Sequence, residues 1–196
     1  MSLPLPFTWP YFLVFWPVYF WVFVPEFRII QQARSVPTPA EDRGSLRVLM
    51  LGFGAASLAA FLLPFVAPRA TLSGPPPVWL FLGVLTLAAG SLLRRHCFRV
   101  LGTFFTGAVT IQTSHRVVES GAYRWVRHPS YSAALLIILG IALALGNGLG
   151  VLVSLLIAVP AYSYRAHVEE RALLSSLGAP YAEFLATRKR FVPFVW

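Results

Sequence analysis

Five long runs of mostly apolar residues constrain the fold of this chain more than any other feature. An α-helix of about 20 apolar residues spans the hydrocarbon core of a bilayer. Only 12% of the 196 residues are charged and the mean hydropathy is +0.69, whereas soluble domains are roughly one quarter charged. The sequence therefore predicts an all-α integral membrane protein with five transmembrane helices, at 9–30, 48–66, 78–93, 131–145 and 149–164.

The last two spans are predicted to form a helical hairpin. Only Gly146, Asn147 and Gly148 separate them, and so short a connection allows a tight reversal between antiparallel helices. In the second span, Gly52 and Gly54 form a small-residue face that would let another helix approach closely.

The segments between the spans carry most of the charge. Segment 31–47 is predicted to be a solvated loop, the third span to end at the basic run 94–96, and 98–130 to be too polar to cross a membrane. The tail, 165–196, is predicted to begin as a helix that leaves the membrane and to end in a basic and apolar interfacial anchor.

The distribution of basic residues predicts the orientation in the membrane. They concentrate in the first loop, in 98–130 and in the tail, while the loop between spans two and three carries Arg69 alone. By the positive-inside rule, the N-terminus lies outside and the C-terminus in the cytoplasm. Because no basic segment precedes the first apolar run, it is predicted to be a retained span rather than a cleavable signal peptide.

The same pattern argues against several other functions. The net charge of +9 does not indicate a nucleic-acid partner, because the basic residues lie between apolar runs instead of forming a patch with stacking aromatics. Cys97 is the only cysteine, which excludes an intrachain disulfide and a multi-cysteine metal site. The histidines and glutamates lack the spacing of a known zinc motif, so no metal is predicted.

Polar residues gather at the open end of the predicted hairpin, where its two helices should bring them together. Arg165 and Glu169 are four residues apart and lie on one helix face. They are consistent with an arginine that extends to the membrane surface within a helical ion pair. They are also consistent with half of a site, in which Arg165 binds an anionic substrate and Glu169 a cofactor. The other half would come from the residues that precede span four: His115, Arg116, Tyr123, Arg127, His128 and Tyr131.

Several motifs in the C-terminal half resemble the isoprenylcysteine carboxyl methyltransferase family of integral membrane enzymes. They are Ser120-Gly121-Ala122-Tyr123, Arg127-His128-Pro129-Ser130-Tyr131, the pair Glu169-Glu170, and Leu177-Gly178 with Tyr181. The resemblance extends over about 110–193, whereas the first three spans resemble the family only in being apolar. It divides the chain into three N-terminal spans, 1–97, and a methyltransferase core, 98–196.

The resemblance implies S-adenosylmethionine as the cofactor, in a cytoplasm-facing pocket formed by the segment before span four and the tail. It implies a lipophilic substrate that enters from the bilayer, whose carboxylate is bound by the catalytic residue Arg165. A carboxylate is already ionised at neutral pH, so no general base is required. The implied cofactor-binding residues are Gln112, His115, Arg116, Val117, Val118, Tyr123, His128, Pro129, Ser130, Tyr131 and Glu169.

Related proteins leave the substrate open. Phospholipid N-methyltransferases and small-thiol S-methyltransferases share parts of the pattern, and sterol reductases with a similar C-terminal half use a nicotinamide cofactor. Arg165 favours an acidic substrate. A non-enzymatic membrane scaffold would explain the spans but not the order of the histidines, tyrosines and glutamates.

Overall fold

The computed structural model describes residues 3–34, 42–102 and 117–194, and from 25 to 34 it describes the backbone alone. Within these ranges the regular structure is helical, apart from two isolated β-bridges. The predicted all-α class is therefore confirmed. The helices are α1 (Phe12–Arg34), α2 (Ser45–Val66), α3 (Pro76–Leu101), α4 (Pro129–Ala144), α5 (Gly148–Leu177) and α6 (Ala179–Thr187).

Three of the described helices, α2, α3 and α5, are long and apolar enough to cross a membrane. Two shorter apolar helical stretches accompany them, Phe12–Val24 within α1 and the whole of α4. A helix rises about 1.5 Å per residue, so the 16 residues of α4 fall short of a core about 30 Å thick. The chain is thus a multi-pass integral membrane protein. Among the described residues, three helices have both the length and the apolar composition of a membrane span, and the two further spans that the sequence predicts fall in α1 and α4.

α4 lies in the middle of the bundle. It packs most extensively on α3 and also contacts α5 and α2, while α2 packs along α5 and α1 packs on α3. Glycines allow α3 and α4 to approach closely: a Cβ atom at Gly83 would lie 2.3 Å from the backbone nitrogen of Ala144. One at Gly140 would lie 2.5 Å from the nitrogen of Leu87. Only glycine fits at either position, as is common where membrane helices touch.

The predicted small-residue face of α2 is confirmed at one glycine and wrong at the other. A Cβ atom at Gly52 would lie 2.4 Å from the Cβ of Ala161 on α5, whereas one at Gly54 would have nothing within 4 Å. Gly52 therefore belongs to the α2–α5 contact, and Gly54 lies outside it.

The predicted hairpin is confirmed, and its turn is fixed by side-chain hydrogen bonds. Asn147 accepts a 2.8 Å hydrogen bond from the backbone nitrogen of Gly150 and donates a 2.9 Å bond to the carbonyl of Ala67. These bonds cap the start of α5 and tie the turn to the end of α2. The turn between α4 and α5 and the chain reversal after α2 are thus hydrogen-bonded to each other.

The end predicted for the third span is wrong, because its basic residues find partners along the helix. α3 continues through them to Leu101. Arg94 donates to Ser130 on α4, and the Arg95 guanidinium lies 4.4 Å from the ring centroid of Trp21 on α1. α5 likewise runs without interruption from the hairpin into the tail and ends at Leu177.

A single added methyl group tests the α3–α4 contact. Gly83→Ala places a Cβ against backbone, so the helices must separate, which should lower the free energy of unfolding by about 1–3 kcal/mol. Gly54→Ala, in open space, is the matched control and should leave the melting temperature unchanged or higher. Thermal unfolding in detergent measures both, and equal melting of the two variants would contradict the close contact.

Candidate functional site

The polar residues at the open end of the hairpin meet, as its geometry predicts. The Tyr131 hydroxyl, in the first turn of α4, donates a 2.5 Å hydrogen bond to Oε2 of Glu169 on α5. The rings of His128 and Tyr131 stack, with centroids 5.2 Å apart and 4° between the planes. The His128 side chain is 6% exposed and that of Glu169 31%. The Glu169 carboxylate therefore lies, partly open, next to the buried His128 ring and the partly buried Tyr131 ring.

Glu170 holds the His128 imidazole in place. Its Oε1 lies 3.0 Å from His128 Nε2 and 3.1 Å from Arg127 Nε, and its Oε2 accepts a 2.5 Å bond from Arg190. A buried carboxylate is stable only when paired, and Glu170 is 7% exposed. Because an ionised carboxylate only accepts hydrogen bonds, Nε2 of the imidazole carries the proton in this contact.

The C-terminal tail closes over the segment that precedes α4. The backbone nitrogen of Arg127 donates to the carbonyl of Lys189 at 2.9 Å, and that of His128 donates to Arg190 at 3.0 Å. The Arg127 side chain adds a 2.9 Å bond to the carbonyl of Leu185. The structure thus brings together the two segments from which the sequence predicted a pocket.

Arg165 is buried, at 2% exposure. Its hydrogen-bonding partners come from the start of α2 and from the first turn of α4. Its Nη1 pairs with the carboxylate of Asp42 and donates a 2.6 Å bond to Oγ of Ser45. Its Nε donates a 3.3 Å bond to the Tyr131 hydroxyl. The Asp42 carboxylate also accepts from the Ser45 hydroxyl at 3.2 Å and from the backbone nitrogen of Leu46 at 3.1 Å.

Two expectations about Arg165 and its surroundings are wrong. Among the described residues, Arg165 forms its ion pair with Asp42 instead of Glu169, so the helical pair that the spacing allows is replaced by a contact between α5 and the start of α2. It does not extend to the surface. Asp42 and Ser45 are completely buried, although segment 31–47 was predicted to be solvated. Residues 35–41 of that segment lie outside the described ranges.

A proline marks the start of α4, two residues before the start of the predicted span. α4 begins at Pro129, and His128 before it is non-helical, with φ of −126°, as expected for a residue that precedes proline. Ser130 is also buried. Its carbonyl and hydroxyl oxygens accept bonds of 2.9 and 3.1 Å from Arg94, so this residue joins α4 to α3.

The other predicted cofactor residues precede this helix. Tyr123 is buried in the 3-10 turn Gly121–Arg124, and burial raises the pKa of its phenol. The hydroxyl therefore stays protonated at neutral pH and can donate a hydrogen bond. Val117 and Val118 are partly buried at the start of the described segment. Three further predicted residues lie outside the described ranges: Gln112, His115 and Arg116.

Sequence reasoning missed Asp42, Ser45 and Arg190 as members of the cluster. Aspartate and serine are favoured near helix N-termini, so the spacing of Asp42 and Ser45 indicated that a helix starts here. No local pattern indicated that their partner would be Arg165, which is 123 residues from Asp42. Arg190 was assigned to the interfacial anchor, but it binds Glu170.

An apolar groove of about 720 Å³ opens next to this cluster. Phe191 lines it, and the Phe191 ring centroid lies 6.2 Å from that of His128. A space of this size and composition suits a flexible hydrocarbon chain. The other lining side chains include several from α4 and α5, among them Leu135, Leu136, Leu139, Leu155 and Val159.

Comparison with known sequences identifies relatives of this region. Residues 82–175 match the sequence profile of the Isoprenylcysteine carboxyl methyltransferase (ICMT) family. Protein-S-isoprenylcysteine O-methyltransferase B of Arabidopsis thaliana is 29% identical over 115 residues, which cover 58% of this chain and 58% of the relative. The enzyme of that name from Saccharomyces cerevisiae is 29% identical over 116 residues, covering 58% of this chain and 48% of the relative. The chain thus spans less than two thirds of the length of these relatives.

The fold is similar to a solved structure, that of the eukaryotic intramembrane Ras methyltransferase ICMT. The TM-score is 0.56 at 21% sequence identity, over 74% of this chain and 52% of the other. At that identity the likeness concerns the fold alone. The family resemblance found in the motifs is confirmed by the profile match, which contains five residues of the candidate site: Tyr123, His128, Tyr131, Arg165 and Glu169.

Proposed function

We propose that the protein methylates the carboxylate of a lipid-linked acceptor, on the basis of the match between residues 82–175 and the profile of the isoprenylcysteine carboxyl methyltransferase family. The acceptor class is a C-terminal isoprenylcysteine or a similar lipid-linked acid, and the methyl donor is S-adenosylmethionine. One observation carries the proposal: across the hairpin, the Tyr131 hydroxyl bonds both to the buried Arg165 and to the partly open Glu169.

The residues of the cluster fit S-adenosylmethionine. Its ribose hydroxyls and ammonium group are donors, and the Glu169 carboxylate, 31% exposed, retains accepting capacity for them. The stacked rings of His128 and Tyr131 offer an aromatic face to a cationic ligand. We assign cofactor binding to Tyr123, His128, Pro129, Ser130, Tyr131 and Glu169, with Val117 and Val118 at the edge. Gln112, His115 and Arg116 remain predicted members.

The chemistry that this arrangement would perform is a displacement at a methyl carbon. When bound, S-adenosylmethionine would supply an electrophilic methyl group on a sulfonium. The acceptor's carboxylate is ionised at neutral pH, so the protein has no proton to remove. Arg165 would hold one carboxylate oxygen in line with the methyl carbon. Transfer would form an O–C bond and break a C–S bond, which would give a neutral ester and a thioether.

Burial of Arg165 explains how such a site would accelerate the transfer. At 2% exposure, the guanidinium lies in a region without bulk water. An oriented carboxylate there would lose hydration and gain a fixed direction of approach. The rate would then depend on positioning, which makes the geometry of the guanidinium fork decisive.

We assign the acceptor's hydrocarbon chain to the groove lined by Phe191 and by side chains of α4 and α5. Its apolar lining supports this assignment. Phe191 also packs against His128, so a chain in the groove would approach the site from the bilayer side. Entry from the bilayer suits an acceptor that already resides in the membrane.

The proposed topology has five spans, with α1 and α4 crossing in addition to the three helices of full length. The basic loops then place the site in the cytoplasm and the N-terminus outside. We propose that 1–97 forms the N-terminal spans and 98–196 the methyltransferase core.

The purified protein should bind S-adenosylmethionine and S-adenosylhomocysteine in detergent. Glu169→Gln should weaken binding on the order of 10-fold or more, because a hydrogen bond to a charged group contributes about 1.5–3 kcal/mol. Glu183→Gln, on the exposed side of α6, is the control. Titration calorimetry measures all three proteins. Binding of NADPH without either adenosyl ligand would support a reductase instead, and binding of none of them a scaffold.

Arg165→Lys should lower kcat/KM for N-acetyl-S-farnesylcysteine on the order of 10- to 100-fold, because lysine keeps the charge but loses the two-pronged donor geometry. Lysine is preferred to alanine, which would leave Asp42 buried without an opposite charge. Cofactor affinity should stay unchanged. Loss of cofactor binding together with turnover would assign Arg165 to the cofactor or to the structure.

A bulky side chain in the groove should weaken binding of the acceptor without changing binding of the cofactor. Leu136→Trp should raise KM for N-acetyl-S-farnesylcysteine by roughly 5-fold or more, since overpacking costs about 1–3 kcal/mol, and should leave cofactor affinity intact. Leu156→Trp is the matched control, since Leu156 lies outside the groove lining and is 63% exposed. Equal KM values for the two variants would exclude the groove as the acceptor's site.

A further inference from the structure

The residue proposed to bind the acceptor's carboxylate already binds a carboxylate of the protein. Arg165 Nη1 forms an ion pair with Asp42, and the two residues are 2% and 0% exposed. Ser45, also completely buried, donates to the same carboxylate and accepts from the same guanidinium nitrogen. An aspartate side chain and a C-terminal carboxylate present the same group to a guanidinium.

We propose that Asp42 holds the place of the acceptor's carboxylate on Arg165 and is displaced when the acceptor binds; this rests on the proposed function. Asp42 acts through Arg165 and is thus a positioning and selectivity residue. While the acceptor is absent, Asp42 keeps the guanidinium paired and holds it in its position between the start of α2 and Tyr131 of α4.

Asp42 has other hydrogen-bond donors besides Arg165, so its carboxylate would stay hydrogen-bonded after it leaves the guanidinium. One carboxylate oxygen accepts from the backbone nitrogen of Leu46, and the other from the Ser45 hydroxyl. Both donors lie in the first turn of α2, where unpaired N–H groups and the helix dipole favour an anion. The carboxylate can therefore turn from the guanidinium towards the helix end.

The backbone next to Asp42 makes a tight turn before α2. Arg43 and Gly44 both have positive φ, 48° and 73°. Arginine rarely adopts this region, and two such residues in succession connect Asp42 to a helix that begins at Ser45. In the proposed displacement, a change in the backbone dihedral angles of Arg43 and Gly44 would move Asp42 away from Arg165 while α2 stays in place.

The exchange would discriminate between acceptor and product. A ligand that replaces Asp42 must carry a negative charge, as the acceptor acid does. The methyl ester that results from transfer is neutral, so it cannot hold the guanidinium against Asp42. Return of Asp42 would then favour release of the ester and restore the resting pair.

Kinetics of Asp42→Asn test this displacement. If Asp42 competes with the acceptor, KM for N-acetyl-S-farnesylcysteine should fall on the order of 10-fold, because a charge-assisted bond to Arg165 no longer has to be broken. Affinity for S-adenosylhomocysteine should not change. Glu183→Gln makes the same acid-to-amide change at an exposed position on α6 and should leave KM unchanged. Damage to the structure raises KM or lowers kcat, so a lower KM is specific; an unchanged or higher KM in a folded variant would overturn the proposal.

A label in an otherwise unchanged chain provides a test that does not remove Asp42. Arg43 is exposed, so Arg43→Cys accepts a nitroxide, while the native Cys97 is fully buried. With S-adenosylhomocysteine bound, N-acetyl-S-farnesylcysteine should change the mobility of the label, and its methyl ester should not. Equal responses, or none while the acid binds, would overturn the displacement.

The controls separate this inference from the proposed function. If the unmodified protein binds no adenosyl ligand and methylates no acid, the proposed function fails. If it methylates the acid while the Asp42→Asn KM and the label are unaffected, only the displacement fails.

Discussion

Charged side chains buried at the end of a membrane bundle must be paired within the protein, and the rest of this structure depends on that requirement. Glu170 binds His128, Arg127 and Arg190, which joins α5, the segment before α4 and the tail. The pair of Arg165 and Asp42 joins α5 to the start of α2. Four stretches of the chain thus meet in one place, while glycines at the α3–α4 contact allow α4 to occupy the centre.

Local sequence predicted the features that depend on local physics. Apolar runs predicted the helices, and Gly146 to Gly148 predicted the hairpin turn. The failures concern partners far apart in the chain. Arg94 and Arg95 indicated a helix end, but α3 continues past them. Their guanidinium groups donate hydrogen bonds to the backbone carbonyls of Ser130 and Trp21.

The candidate site shows the same division. The hairpin predicted that Tyr131 and Glu169 would meet, and they do. No spacing rule connects Asp42 with Arg165, because only the packing of α2 along α5 places them together. The motifs therefore indicated Tyr131 and Glu169, which we propose bind the cofactor, and the structure adds the carboxylate of Asp42 on Arg165, the proposed acceptor residue. In the proposed displacement, Arg165 exchanges Asp42 for the acceptor's carboxylate.

The central claim is that the two halves of the cluster form one site for methyl transfer to a carboxylate, and the chemical nature of the product tests it most directly. Membranes that contain the protein would be incubated with methyl-labelled S-adenosylmethionine and N-acetyl-S-farnesylcysteine, and the labelled product treated with base. The account predicts a base-labile methyl ester that releases labelled methanol, and none from membranes that lack the protein. A base-stable label on a lipid amine or a thioether would contradict it.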